Sequence, residues 1–532
     1  MKKIFLISLM LILILACGGK GGSSKGKKFI INVSEEPQSI DPQLSTDIVG
    51  STVNELISEG LLRRNADGKP TAGLAEKWES TPDGMKWTFY LRDGIKWSNG
   101  DPITANDFKA AWMRILEPKT GSQYAYMLYP IKNAEEFNTG KAKAEDVGIK
   151  VIDDKTLEVE LGAPTPYFDD LVTFKTYLPM NEKFYKEVGE KYFTEADKTI
   201  SSGPYVMKKW THDSNIIFEK NPNYWDVANI KVDNIEYKFI ADNASALNAF
   251  KNGEVDVTQV TVEQAKEFKD DPRLVSSADG SVWYLLLNNK TKALSNAKVR
   301  KAILMSINRD ELANVVLNGS GKVPKTLVPS GLGIQGLQKE FTEEVPTSIP
   351  GYNPEEAKKL LAEGLKELGI DKFPTFEMIF NDSGNNKSIA EYVQESLRKN
   401  LNIELKISPM TFQERVTRMK QHNFDFVLAG WSGDFSDPIT YLDLFVTNGG
   451  SNYGMYSNPK YDELVKTVRS TADKSVRVPA MIELEKIIAE DTPVAIIRHG
   501  EKKYLVNSKV KGLEFTGIGG EFIFRNIDIQ EK

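Results

Sequence analysis

The sequence predicts a mixed α/β protein. Three observations carry this reading. Short β-like runs alternate with helical stretches from one end of the chain to the other. Helix starts are marked by capping residues. No tandem repeat or long internal linker breaks the alternation. At ~150 residues per domain, 532 residues suggest about three or four domains. Short crossings between them are expected, some joining discontinuous domains.

The predicted strands are Phe29–Val33, Lys86–Arg92, Thr156–Leu161, Tyr205–Trp210, Ile235–Ile240, Val282–Leu287, Phe376–Phe380, Ile403–Ile407 and Phe424–Ala429. Lys86–Arg92 runs into Asp93-Gly94 and then Ile95–Ser98. That order predicts a hairpin: strand, Asp-Gly turn, second strand. Thr104 with Asp107, and Thr411 with Glu414, have the spacing of capping boxes. Asn353-Pro354-Glu355-Glu356 sets a cap, a first-turn proline and acids ahead of a helix over Ala357–Leu368. A helix over Asn243–Lys251 stops at Asn252-Gly253.

Composition narrows the class. Charged residues make up 27% and hydrophobic ones 40%, a globular balance with enough apolar mass for large cores. Lys plus Arg is 68 against 74 Asp plus Glu, a net charge of −6, so nothing favours a nucleic-acid partner. One cysteine excludes a disulfide framework, and His212, His422 and His499 lie too far apart for zinc spacing. No cofactor or metal is expected.

The N-terminus reads as an address. Residues 1–16 run Met1-Lys2-Lys3, an apolar stretch from Ile4 to Leu15, then Ala16, the pattern of a secretory signal. The only cysteine follows, in Ile14-Leu15-Ala16-Cys17-Gly18, which resembles a bacterial lipobox with Cys17 as the lipidated residue. Residues 17–27, rich in Gly, Ser and Lys, form a flexible tether. Gly21, Gly26 and Lys27 approach a phosphate-loop pattern, but Lys28 stands where it needs Ser or Thr and no strand precedes it. The expected location is outside the cytoplasm, on a lipid anchor rather than a span.

The segment Gly73-Leu74-Ala75-Glu76-Lys77-Trp78, then Lys86–Gly100, then Asp101-Pro102-Ile103-Thr104-Ala105-Asn106-Asp107-Phe108, resembles the signature of the family 5 extracellular solute-binding proteins. These are the peptide, nickel and related receptors of ABC importers. Further matches follow in order. They are Ser202-Gly203-Pro204-Tyr205, Asn221-Pro222-Asn223-Tyr224-Trp225, Phe250–Asp256, Asn288-Asn289, Val299-Arg300-Lys301-Ala302 with Asn308-Arg309, and Ala429–Asp434. The resemblance spans nearly the whole chain after the signal, and the oligopeptide-binding branch is the most similar. It implies a two-lobed periplasmic-binding-protein-like fold (type II, cluster C) with an extra domain on the first lobe. Lobe I would take 28–58, 180–281 and 498–532, the extra domain 59–179, and lobe II 282–497. Ligand would lie between the lobes, with closure by a hinge.

The resemblance also implies site residues. Asp434 matches the aspartate that oligopeptide binders set against the peptide's α-amino group; a cation sealed between lobes needs a fixed anion. An Asp between Gly433 and Asp437-Pro438 also suits a surface turn. Gly430, Trp431 and Ser432 match the strip beside it, where glycine permits backbone-to-backbone pairing. Trp431 suits a pocket wall or plain core. Ile48 matches a backbone contact from the other lobe, Tyr124 a tyrosine of the extra domain, and Phe412 an aromatic wall. Gln259, Trp283 and Tyr284 fall near the lobe crossing. Tyr124 belongs to Tyr124-Ala125-Tyr126-Met127-Leu128-Tyr129, a run that reads as core or as a ligand wall.

Departures from the family pattern concern the peptide's carboxylate. Two positions where some relatives hold it carry Asn386 and Leu428, neither charged, and a third carries Met419 between Arg418 and Lys420. Arg498 and His499 stand where relatives often have tyrosines. The implied partners are an oligopeptide, an ABC permease and a membrane through the anchor, with the protein a monomer. Other ligands in the same fold are dipeptides, nickel complexes, haem, sugars or opines. An enzyme reading pairs Asp434 with Asp437 as glycosidase carboxylates, with Trp431 as platform. His212-Asp213-Ser214 gathers triad residue types, but adjacency is not triad geometry.

Overall fold

The computed structural model describes residues 26–65, 68–330, 332, 340–346, 349–382, 385–518 and 521–530. The signal segment, Cys17 and most of the tether lie outside the described residues. Among the described residues no helix is long and apolar enough to cross a membrane, and no acidic, His or Cys cluster could hold a metal.

The chain starts with β1 (Lys28–Asn32). It then makes a four-stranded antiparallel sheet from β2 (Ala75–Ser80), β3 (Lys86–Leu91), β4 (Ile149–Asp153) and β5 (Thr156–Glu160), in the order β2-β3-β5-β4. Nine further strands join β1 in one large sheet. They are β6 (Tyr205–Thr211), β7 (Asn215–Lys220), β8 (Asn234–Lys238), β9 (Val257–Val260), β10 (Leu274–Leu287), β11 (Phe376–Asn381), β12 (Leu405–Met410), β13 (Phe426–Ser432) and β14 (Val494–Val506). Their spatial order is β12-β11-β13-β10-β14-β9-β1-β8-β7-β6.

That order gives the two-lobed architecture. Strands β11–β13 lie on one side, and β1 with β6–β9 on the other. Between them run β10 and β14, antiparallel neighbours of 14 and 13 residues. Their ladder slips at Ala278/Val282 and again at Trp283/Tyr284. Gly280 sits in the first slip at φ +60°, where a Cβ would stand 1.9 Å from the Gly517 carbonyl oxygen, so the position admits glycine only. The lateral strands are held by apolar burial. Phe29 and Ile31 of β1 and Phe426–Ala429 of β13 are all but inaccessible, as strands covered on both faces require.

The expected helix starts are present. The Asp107 carboxylate accepts from the Thr104 N–H at 2.7 Å. Thr411 Oγ1 accepts from the Glu414 N–H at 3.2 Å and begins the helix Phe412–Lys420. Asn353 accepts from the Glu356 N–H at 3.1 Å ahead of Pro354–Leu368.

Other elements differ from expectation. The Asp-Gly hairpin does not form: β3 pairs with β2 and β5 instead, which occupy both its edges. Beyond Gly94 only a single bridge, Lys96 to Pro102, is made, while Ile95 and Trp97 turn into the core. The strand expected at Phe424–Ala429 is shifted to Phe426–Ser432, which brings Gly430, Trp431 and Ser432 onto the strand itself. The strand expected at Ile403–Ile407 starts at Leu405, and the one expected at Val282–Leu287 starts at Leu274. Strand β14 escaped the sequence reading because Arg498, Glu501, Lys502 and Lys503 interrupt its apolar run where it passes between the lobes.

Candidate ligand cleft

Strand β13 is paired along its whole length with β10, from Phe426–Leu287 to Ser432–Ser281. With β11 it pairs only at Phe426 and Val427. Among the described residues, Leu428–Ser432 therefore offers an edge with no strand partner. An open, extended edge accepts another extended backbone by strand addition. Gly430 serves a second purpose there: a Cβ would meet the Trp283 ring at 3.0 Å, so its absence lets that indole lie across the strand pair.

Asp434 lies two residues beyond this edge. It is buried, and its backbone N–H is fixed by Thr440 Oγ1 at 3.1 Å. The hydroxyls of Tyr124 and Tyr126 donate to its carboxylate at 3.3 and 3.2 Å. No cation comes within 4 Å of it among the described residues. Lys175 is the positive charge that acts on it, but its ammonium is spent on Ser51 Oγ at 2.6 Å and on the Asp47 carbonyl at 3.3 Å. Burial pushes the Asp434 carboxyl up to about 6 against the pull of Lys175 and the two tyrosines. Burial pushes Lys175 down to about 8. The site thus holds a desolvated carboxylate with two hydroxyl donors and, among the described residues, no paired cation.

The loop after Asp434 is held by the segment before residue 179. Phe435 stacks on Tyr167, and the Ser436 N–H donates to Asp170. Asp170 also accepts from Arg64 Nη2 at 2.9 Å. Asp437 is fully engaged: Arg477 donates to both its oxygens at 3.1 and 3.0 Å, with both residues buried. A carboxylate locked in that fork is not free to act with Asp434 as a glycosidase pair. His212 faces Glu36 at 2.5 Å and Glu195 at 3.2 Å, so its ring is held by two carboxylates rather than by Asp213 and Ser214.

The model of the bacterial extracellular solute-binding proteins, family 5, matches residues 69–453, more than half of the chain. This chain belongs to that family. It is similar to the oligopeptide-binding protein OppA of Bacillus subtilis, 36% identical over 99% of both chains. It is also similar to the dipeptide-binding protein DppE of the same organism, 32% identical over 94% of this chain and 92% of that one. Among solved structures, Listeria monocytogenes OppA bound to peptide superposes with a TM-score of 0.86 at 32% identity, covering 96% of this chain and 100% of that one. The family's members are binding proteins, and this family 5 chain is not an enzyme.

Other residues expected at the site of this family 5 protein fall into two groups. Tyr124 meets Asp434, while Trp283, Val282 and Ser281 lie across from Gly430, Trp431 and Ser432. Tyr284 is buried opposite Ala429. Arg498 lies over the Trp283 ring at 4.9 Å. Ile48 opens the helix Ile48–Ile57 under an Asp47 cap and is exposed, as are Phe412 and Tyr126. These are three of the eight large apolar side chains exposed among the described residues. Asn386 is buried and donates to the Asn381 carbonyl at 3.1 Å within its own lobe. Gln259 is exposed on β9 opposite Tyr504. No hydrogen bond, ion pair or ring contact joins Asn386, Gln259, Ile48 or Phe412 to Asp434, Tyr124 or Tyr126 among the described residues. Tyr126 and Lys175 join the site without a signal of their own in the sequence. Tyr126 was visible only as part of an aromatic run, and a single lysine far from Asp434 in sequence carries no signal. A groove of about 750 Å³ lined by Glu36, Arg114, Tyr192, Trp210 and His212 lies apart from these residues.

Proposed function

We propose that this protein is an extracytoplasmic lipoprotein, anchored through Cys17, that captures oligopeptides between two closing lobes and delivers them to an ABC permease. The observation that carries it is Asp434: among the described residues, a buried carboxylate without a cation, two residues beyond an unpaired strand edge. The peptide's ammonium supplies the cation, and its main chain supplies the missing strand. Binding of this kind uses groups that every peptide has, so side-chain identity matters little. Lobe I is taken as 28–58, 180–281 and 498–532, the extra domain as 59–179 and lobe II as 282–497. Strands β10 and β14 form the hinge, and the protein works as a monomer.

Thermal unfolding of the soluble domain, stripped of co-purified ligand, tests this. Peptides of two to five residues are added with free or acetylated N-termini. A ligand at ~100 times its Kd stabilises by about 2.7 kcal/mol. Stabilisation by free-amino peptides only supports the assignment, and no response to any peptide refutes it. The similarity to a dipeptide-binding relative favours a second reading, a dipeptide ligand. A response to dipeptides alone selects it.

A further inference from the structure

Four arginines are buried among the described residues: Arg300, Arg309, Arg415 and Arg477. Three of them meet oxygen. Arg477 holds the Asp437 carboxylate. Arg300 donates to the carbonyls of Leu294, Ser295, Asp491 and Thr492. Arg309 donates to those of Ile496 and Pro350. Arg415 is different. It is 8% exposed, and among the described residues its Nε is buried without a partner and its one hydrogen bond runs from Nη1 to the Met419 sulfur at 3.2 Å. No carboxylate comes within 4 Å of it among the described residues.

We propose that Arg415 takes a carboxylate of the bound peptide, either its C-terminus or an acidic side chain. This rests on the peptide-binding reading above. Leaving a buried guanidinium nitrogen without a partner is costly, and the planar fork suits two carboxylate oxygens. The surroundings fit. Arg415 lies 5.1 Å over the ring of Phe412, which is half exposed. Its charge and the hydroxyls of Tyr284 and Tyr453 act on one another. Tyr453 in turn acts on Tyr124, the donor to Asp434. The helix Phe412–Lys420 also touches the segment carrying that tyrosine, because Lys420 donates to Gln123 Oε1 at 2.9 Å. Arg415 and Asp434 thus flank one tyrosine cluster with opposite charges, an arrangement matched to a zwitterion or to a peptide with an acidic side chain. The sequence offered Arg418 and Lys420 for this task. Arg418 is instead paired with Glu377 at 2.8 Å.

Calorimetric titration of the ligand-free protein tests the proposal with four peptides. They are tetra-alanine, its C-terminal amide, and tetrapeptides in which one alanine becomes glutamate or glutamine. Wild type should prefer acid over amide, or glutamate over glutamine, by about ten- to a hundredfold. The first preference assigns the terminus, the second a side chain. Arg415→Met should erase the preference. Arg415→Lys keeps the charge without the fork, preserves the site if the methionine variant fails to fold, and should lower the preference several-fold. If tetra-alanine binds but neither exchange moves its affinity, or if the preference survives in the variants, the inference is overturned while the peptide reading stands. If no peptide binds wild type, the peptide reading itself fails and takes this inference with it.

Discussion

Phe435 lies parallel to Tyr167, ring centroids 5.1 Å apart and planes 9° from parallel, one residue from the buried carboxylate of Asp434. Tyr167 precedes the short helix that carries Asp170, whose carboxylate receives the Ser436 N–H. The loop bearing the ligand's proposed anchor is therefore gripped by the segment from Tyr167 to Asp170.

Phe435→Ala removes this grip without touching Asp434. An aromatic pair contributes about 0.5–1.5 kcal/mol beyond its buried area. The ligand-free variant should populate a more open form. X-ray scattering should give it a larger radius of gyration than wild type, with the difference abolished by saturating peptide. Identical curves without peptide would show that the stack does not hold the lobes.

Asp434→Asn should separate stability from binding. Asparagine keeps an oxygen for Tyr124 and Tyr126 and removes a charge that burial disfavours. The ligand-free variant should match or exceed wild type in denaturant, by up to about 3 kcal/mol at neutral pH. Its affinity for free-amino peptides should fall by about 3–5 kcal/mol, the cost of breaking a buried pair. A variant that binds as wild type does would remove Asp434 from the amine site.

The pH dependence has two opposite signs. The Asp434 carboxyl, raised to about 6 in the folded protein, lies near 3.9 when unfolded. The folded state then binds more protons between those values. The group's contribution to ligand-free stability is full below about 4 and lost as pH rises through about 6. Capture of an ammonium needs the ionised form, so affinity should fall about tenfold per pH unit below about 6. Titrations at pH 7.5, 6 and 5 check this, and a flat profile would sink it.

The Arg477–Asp437 pair is structural. Arg477→Met leaves Asp437 buried without its partner and should destabilise by about 3–5 kcal/mol in urea. Double replacement with Asp437→Asn should recover part of that loss. Additive losses would mean the two residues act independently.

The alternation of strands and helices was legible because capping residues and apolar runs are local. Thr411, Asn353 and Asp107 do in three dimensions what their spacing promised. The Asp-Gly hairpin was misread because turn chemistry does not say which strand fills an edge: Lys86–Leu91 was already flanked by Ala75–Ser80 and Thr156–Glu160. Asp434 could be picked out by its motif, but its donors could not. Tyr124 and Tyr126 reach it, and the charge of Lys175 acts on it, across more than two hundred residues of chain. The solitude of Arg415 is a property of its neighbours' orientation, which no local pattern records.

The position of Val494–Val506 also sets the order of assembly. This strand lies between Leu274–Leu287 and Val257–Val260 in the large sheet, yet it follows both of them by more than two hundred residues of chain. Neither of those neighbours has its full complement of backbone partners until it arrives. Such late, distant pairing slows folding. A chain delivered from its N-terminus stays unzipped at the centre of this sheet until Val494–Val506 has emerged, and the seam about which the finished molecule would bend is the last part of its sheet to close.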